Sequence, residues 1–93
     1  MKPTHVEGKR RRKVMLYALS TCIWCRKTKT LLKELGVDHY IVDVDLLEGA
    51  EKDKVLEDVR KYNPACTFPT IVLDDDECIN GYKPEMLKEL LGP

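Results

Sequence analysis

The sequence predicts an α/β domain whose elements run in the order βαβ, α, ββα. Three observations lead there. Apolar runs of strand length alternate with amphipathic stretches of helix length. Short joints link the first strand, helix and second strand, which favours a parallel, right-handed crossover. The last two strand candidates are separated only by Asp74-Asp75-Asp76, too little chain for a crossover, so they form an antiparallel hairpin.

The first strand is read in Val14-Met15-Leu16-Tyr17-Ala18-Leu19, a continuous apolar run. A helix follows over Arg26 to Gly36, with Trp24, Leu31, Leu32 and Leu35 as its apolar stripe and Gly36 as its stop. His39 to Asp45 has strand character. A second helix runs from Gly49 to Tyr62, with Val55, Leu56, Val59 and Tyr62 on one face and Asn63-Pro64 ending it. Thr70 to Leu73 and Glu77 to Asn80 are the hairpin strands. Pro84 opens a last helix whose stripe is Met86, Leu87, Leu90 and Leu91. Residues 1–12 are almost free of apolar side chains and carry the start of a basic run, Lys9 to Lys13, so they are expected to form a flexible tail ahead of a domain over 13–93.

The 93 residues suffice for one domain with a modest core. Lys plus Arg and Asp plus Glu number 16 each, so net charge gives no reason to expect nucleic acid or an anionic membrane as partner, and the basic run alone offers a local field for an acidic one. The longest apolar run is far shorter than the roughly 20 residues that span a bilayer, and no apolar leader follows the early basic residues. A protein of the reducing cytoplasm is expected, because strong amphipathic helices supply a core that needs no disulfide staples despite four cysteines.

Cys22-Ile23-Trp24-Cys25 carries the chemistry. Two cysteines three residues apart at the start of a helix suit a reversible disulfide. Free N–H groups and the helix dipole there favour a thiolate, the species that attacks disulfides. Cys22 is the expected nucleophile and Cys25 the resolving thiol, with Arg26 and Lys27 as added cations. The alternative is half of a zinc site completed by Cys66, Cys78 or a histidine, but a zinc ribbon would bring a second CxxC at short range. Cys78 reads as a small core residue beside Ile79. Cys66, three residues before Pro69, is a candidate third redox-sensitive thiol.

With these motifs in place, the chain resembles the glutaredoxin-like small redoxins of the thioredoxin-fold superfamily. The likeness spans Lys13 to Gly92 and rests on the CxxC at a helix start, on Thr67-Phe68-Pro69-Thr70 entering the third strand, and on the turn Gly81-Tyr82. It implies a thioredoxin fold with a central four-stranded mixed sheet and three flanking helices. It also implies a cis Pro69 lying against the CxxC, and substrate binding by Thr21, Trp24, Thr67, Phe68, Pro69, Gly81 and Tyr82. The implied activity is dithiol–disulfide exchange on protein disulfides, with the Cys22–Cys25 disulfide as redox centre, no metal and no tightly bound cofactor.

The resemblance also bears on the electron donor. Glutathione-using glutaredoxins generally carry a basic residue shortly before the first cysteine and a Gly-Gly turn near the last helix. Here Ala18-Leu19-Ser20-Thr21 and Gly81-Tyr82-Lys83-Pro84-Glu85 stand in those places. The second segment is similar to that of the thioredoxin-like glutaredoxins that serve ribonucleotide reductase and are recharged by a thioredoxin-reductase-type enzyme. Glutathione, with Lys83 as carboxylate ligand, is the alternative donor, and an iron–sulfur carrier is the alternative of another class.

Overall fold

The computed structural model describes residues 3–92. Five strands are present: β1 (Thr4–Val6), β2 (Val14–Ala18), β3 (His39–Asp43), β4 (Thr70–Leu73) and β5 (Glu77–Asn80). Three helices accompany them: α1 (Ile23–Glu34), α2 (Gly49–Tyr62) and α3 (Pro84–Leu91), with a 3-10 turn at Val44–Leu46. The sheet order is β1-β3-β2-β4-β5; β2 and β3 run parallel, and every other neighbouring pair is antiparallel.

Strand alternation splits the core between the two faces of this sheet. Val14, Leu16 and Ala18 of β2, with Ile71 and Leu73 of β4 and Ile79 of β5, turn to one face and pack with Cys25, Leu31 and Leu32 of α1 and Leu87 and Leu91 of α3. Tyr17, Val42 and Val72 turn to the other and meet Val55 and Val59 of α2. A central β2 whose side chains are buried on both faces explains why its sequence is a continuous apolar run.

The residues expected to form a flexible tail do otherwise. Thr4–Val6 adds a fifth strand, antiparallel on β3, and Lys9 makes a further bridge to Val37; Met1 and Lys2 lie outside the described residues. Side chains hold this segment where apolar content is low. His5 stacks on Tyr40 at 4.6 Å, its Nε2 lies 2.8 Å from Asp38 Oδ1, and the Gly8 amide donates to the same oxygen.

Nor is the basic run a freely solvated patch. Arg12 is paired with Asp74 and Glu77, and Lys13 with Asp75, so the run closes on the acidic β4–β5 turn. Asp74 and Asp75 have φ values of 53° and 56°, a left-handed conformation in the hairpin turn that Asp tolerates better than most residues.

Four local expectations shift. Trp24 and Met86, read into apolar stripes, are 52% and 43% exposed. The buried face of α1 is Cys25, Thr28, Leu31 and Leu32. Cys78 is half-buried rather than core: it pairs with Val72, on the opposite face from Ile79. Strand β3 stops at Asp43, and the chain turns so that Asp45 accepts from the Ser20 amide at 2.8 Å and from the Ser20 hydroxyl.

Candidate active site

The site lies where β2 ends and α1 begins. Helix α1 starts at Ile23, three residues before the expected Arg26, and Cys22 is its N-cap. N-cap positions are usually filled by side-chain oxygens that accept from the amides of the first turn. Here a sulfur has that role: the Cys25 amide donates to Cys22 Sγ at 3.3 Å.

The two thiols therefore occupy different surroundings. Cys22 is half-buried. Burial pushes its thiol up, but the Cys25 thiol, the amides of Cys25 and Trp24, and the charge of Lys29 together bring it below the ordinary cysteine value. Cys25 is fully buried beneath it, and burial first, then its bond to the Cys22 sulfur, pushes it up to about 12 despite the Leu19 amide that points at its sulfur from 3.5 Å. Environment alone thus divides the pair into an outer thiol that ionises more readily than an ordinary cysteine and an inner one that holds its proton. The cation acting on both sulfurs is Lys29, one turn beyond Cys25, held by Asp43 at 2.8 Å; the sequence had suggested Arg26 and Lys27.

The Phe68–Pro69 peptide bond is cis. Beside the thiols, Trp24, Phe68, Pro69, Gly81 and Tyr82 line one open hollow of about 250 Å³. Two contacts assemble it. The Gly81 amide donates to the Pro69 carbonyl at 2.8 Å, at a backbone φ of 83° that favours glycine, and Tyr82 stacks on Trp24 with ring centroids 5.9 Å apart. Cys22, Phe68 and Tyr82 all pack on the core cluster that holds Cys25. Five of the seven residues expected to bind substrate are thus brought together. Thr21 and Thr67 are exposed and do not line the hollow.

Thr67 belongs instead to a clamp that sequence reading missed. The Asn63 side-chain amide donates to Thr67 Oγ1 and Thr70 Oγ1, both at 3.0 Å, and Thr70 Oγ1 donates to the Thr67 carbonyl at 2.6 Å. This ties the end of α2 to both sides of Phe68-Pro69. Asn63 had been read only as a helix stop; an asparagine that is fully buried is the signal that it has partners to satisfy.

Cys66 is half-buried in the left-handed region at φ 52° and packs on the α2 face of the sheet. Among the described residues, no group of three or more His, Cys, Asp and Glu side chains gathers into a possible metal site, so Cys66 and Cys78 do not complete a zinc site with the pair.

A buried, proton-holding thiol behind a half-buried thiol of lowered pKa is the arrangement that disulfide exchange needs. The family model for glutaredoxin matches residues 14–79. This chain belongs to the glutaredoxin family. It is similar to methanoredoxin of Methanosarcina acetivorans, whose crystal structure has a TM-score of 0.92 and 45% identity over 100% of this chain and 97% of that one. The glutaredoxin of Methanosarcina mazei Go1 is 47% identical, with a TM-score of 0.90 over 100% and 90% of the two chains. A glutaredoxin-like 8.6 kDa protein of Clostridium pasteurianum is 32% identical over 75 residues, 81% of this chain and 93% of that protein. As a glutaredoxin, the chain is a thiol–disulfide oxidoreductase with a thioredoxin-type fold, and no helix among its described residues is long and apolar enough to cross a membrane.

Proposed function

We propose that this glutaredoxin reduces protein disulfides by a dithiol route in the cytoplasm and is recharged by a thioredoxin-reductase-type enzyme, with ribonucleotide reductase as a target. The Cys22 thiolate attacks one sulfur of the substrate disulfide, a mixed disulfide forms, and the other substrate sulfur leaves as thiolate and takes a proton from water. Cys25 then gives up its proton and attacks Cys22 Sγ, releasing the second substrate thiolate. Two electrons have passed to the substrate, and the Cys22–Cys25 disulfide remains. The step needs no bound cofactor. Cys25 is delivered from one turn away at high effective concentration.

The single observation that carries the donor assignment is the lining of the hollow. It is Trp24, Phe68, Pro69, Gly81 and Tyr82, with no charged side chain among them, and Leu19 stands before the CxxC where glutathione-using relatives place a cation. Such a surface suits the apolar side chains around a protein disulfide better than the two carboxylates and amine of glutathione. The experiment compares reduction of a protein disulfide driven by a thioredoxin-reductase system with reduction driven by glutathione and its reductase. Turnover with the first at least tenfold faster is expected; efficient turnover with glutathione and none with the reductase would overturn the assignment.

A further inference from the structure

A second depression adjoins the hollow. It is a groove of about 480 Å³ along α1, lined among others by Ile23, Arg26, Lys27, Thr30, Glu34 and Tyr82. Its two cations differ from three of those in the basic run at the other end of the molecule. Arg10, Arg12 and Lys13 each have a carboxylate within 4 Å, whereas Arg26 and Lys27 are exposed and, among the described residues, paired with none. Lys27 is instead drawn towards the redox end, its Nζ 4.8 Å from the Trp24 ring centre. Ile23, 60% exposed, and Trp24 add apolar area on the same flank. The groove thus presents two exposed cations, without a carboxylate partner among the described residues, close to the nucleophile.

The groove is also polarised, because Glu34 lies towards its far end. Along the helix axis Arg26 is about 6 Å and Glu34 about 18 Å from Cys22, at about 1.5 Å per residue. An extended chain covers those distances in about two and about five residues. The reach to Glu34 is that of a polypeptide segment.

We propose that this groove selects protein substrates with an acidic residue about two positions from the reacting cysteine and tolerates a basic one about five positions away. The proposal rests on the reading of protein disulfides as substrates, and it adds which of them are preferred. Arg26 and Lys27 attract the acidic side chain, Trp24 and Ile23 cover the intervening apolar ones, and Glu34 disfavours a second acid further on.

The test uses the full chain, reduced, and three disulfide-linked peptides: one with Asp two residues and Lys five residues from the cysteine, one with neutral residues at both places, and one with the charges exchanged. The first should be reduced about three- to tenfold faster than the neutral peptide at low salt, falling towards equality at high salt, as expected for partly exposed charges. In R26Q/K27Q the ratio should fall to near one, and in R26E/K27E the order should invert. Each ratio is taken within one variant, so changes in active fraction or in Cys22 reactivity cancel. Equal rates for the peptides in the unaltered chain, or an order unchanged in both double variants, overturns the selection while leaving disulfide reduction intact. Slower reduction of glutathione disulfide in R26Q/K27Q with the peptide order unchanged makes the groove a small-anion subsite and overturns it too. No reduction of any peptide overturns the selection together with the reading of protein disulfides.

Discussion

The Cys25 amide donates to the sulfur of Cys22 at 3.3 Å, so the resolving residue's backbone stabilises the thiolate its own side chain will later attack. Cys22 thus titrates below its ordinary value and Cys25 far above it. Alkylation of the reduced protein by iodoacetamide should follow a midpoint below the roughly 8.5 of free cysteine, with label on Cys22 and none on Cys25 near neutral pH. Turnover should fall at least about a thousandfold in Cys22→Ser, whereas Cys25→Ser should accumulate a mixed disulfide with substrate. Mass spectrometry reads both, and label appearing first on Cys25 would exchange the two roles.

The same asymmetry sets a signed dependence of stability on pH. Cys22, lowered by folding, contributes stability that is complete above its unfolded value and is lost as pH falls through its folded one. Cys25, raised to about 12, contributes stability that is complete below its unfolded value and is lost as pH rises towards 12. Both unfolded values are about 8.5. The oxidised protein has neither proton to lose. The stability of the reduced form relative to the oxidised form should therefore peak at about pH 8 to 9 and decline on either side, as read from urea unfolding of both forms. A difference that keeps rising to pH 11 would show that Cys25 does not retain its proton.

Asn63 should matter to both stability and substrate binding. Its amide bridges Thr67 and Thr70 on the two sides of Phe68-Pro69, and it is fully buried. Asn63→Ala leaves those hydroxyls short of a donor, which should cost about 1–3 kcal/mol of stability. Because the loop it clamps forms part of the hollow, KM for a protein disulfide should rise more than kcat falls. Loss of stability with unchanged KM would make the clamp structural only.

What the chain discloses in its order of residues depends on how local the cause is. Helix α2, both hairpin strands and the CxxC cap were legible because periodicity, Pro64 and Pro84, and the cysteine spacing act within a few residues. Phe68-Pro69 and Gly81-Tyr82 were legible through resemblance, and the Gly81 to Pro69 hydrogen bond is what brings those segments together. Strand β1 was not legible: Thr4-His5-Val6 buries little, and its docking is decided by Asp38 and Tyr40, more than 30 residues away. Asn63 and Lys29 escaped notice for the same reason, since their partners Thr70 and Asp43 become neighbours only after folding.

Strand β1 supplies a last prediction, because so few contacts hold it. The Asp38 carboxylate accepts from the Gly8 amide at 3.2 Å and pairs with His5 at 2.8 Å. Burial pushes the Asp38 carboxyl up, but His5, the Gly8 amide and the charge of Arg10 hold it below its ordinary value. The stability this gives the docked strand is complete above the unfolded value of about 3.9 and is lost as pH falls through the lower folded one. Amides of Thr4–Val6 and of the facing edge of β3 should lose exchange protection in that acid window while β2 and β4 stay protected, after correction for intrinsic rates. Near neutral pH, Asp38→Asn should speed exchange in β1 at least about threefold and abolish its acid response. His5→Ala should do the same more weakly, since Gly8 still holds the carboxylate. Equal acid sensitivity in the unaltered chain and in Asp38→Asn would place the latch elsewhere.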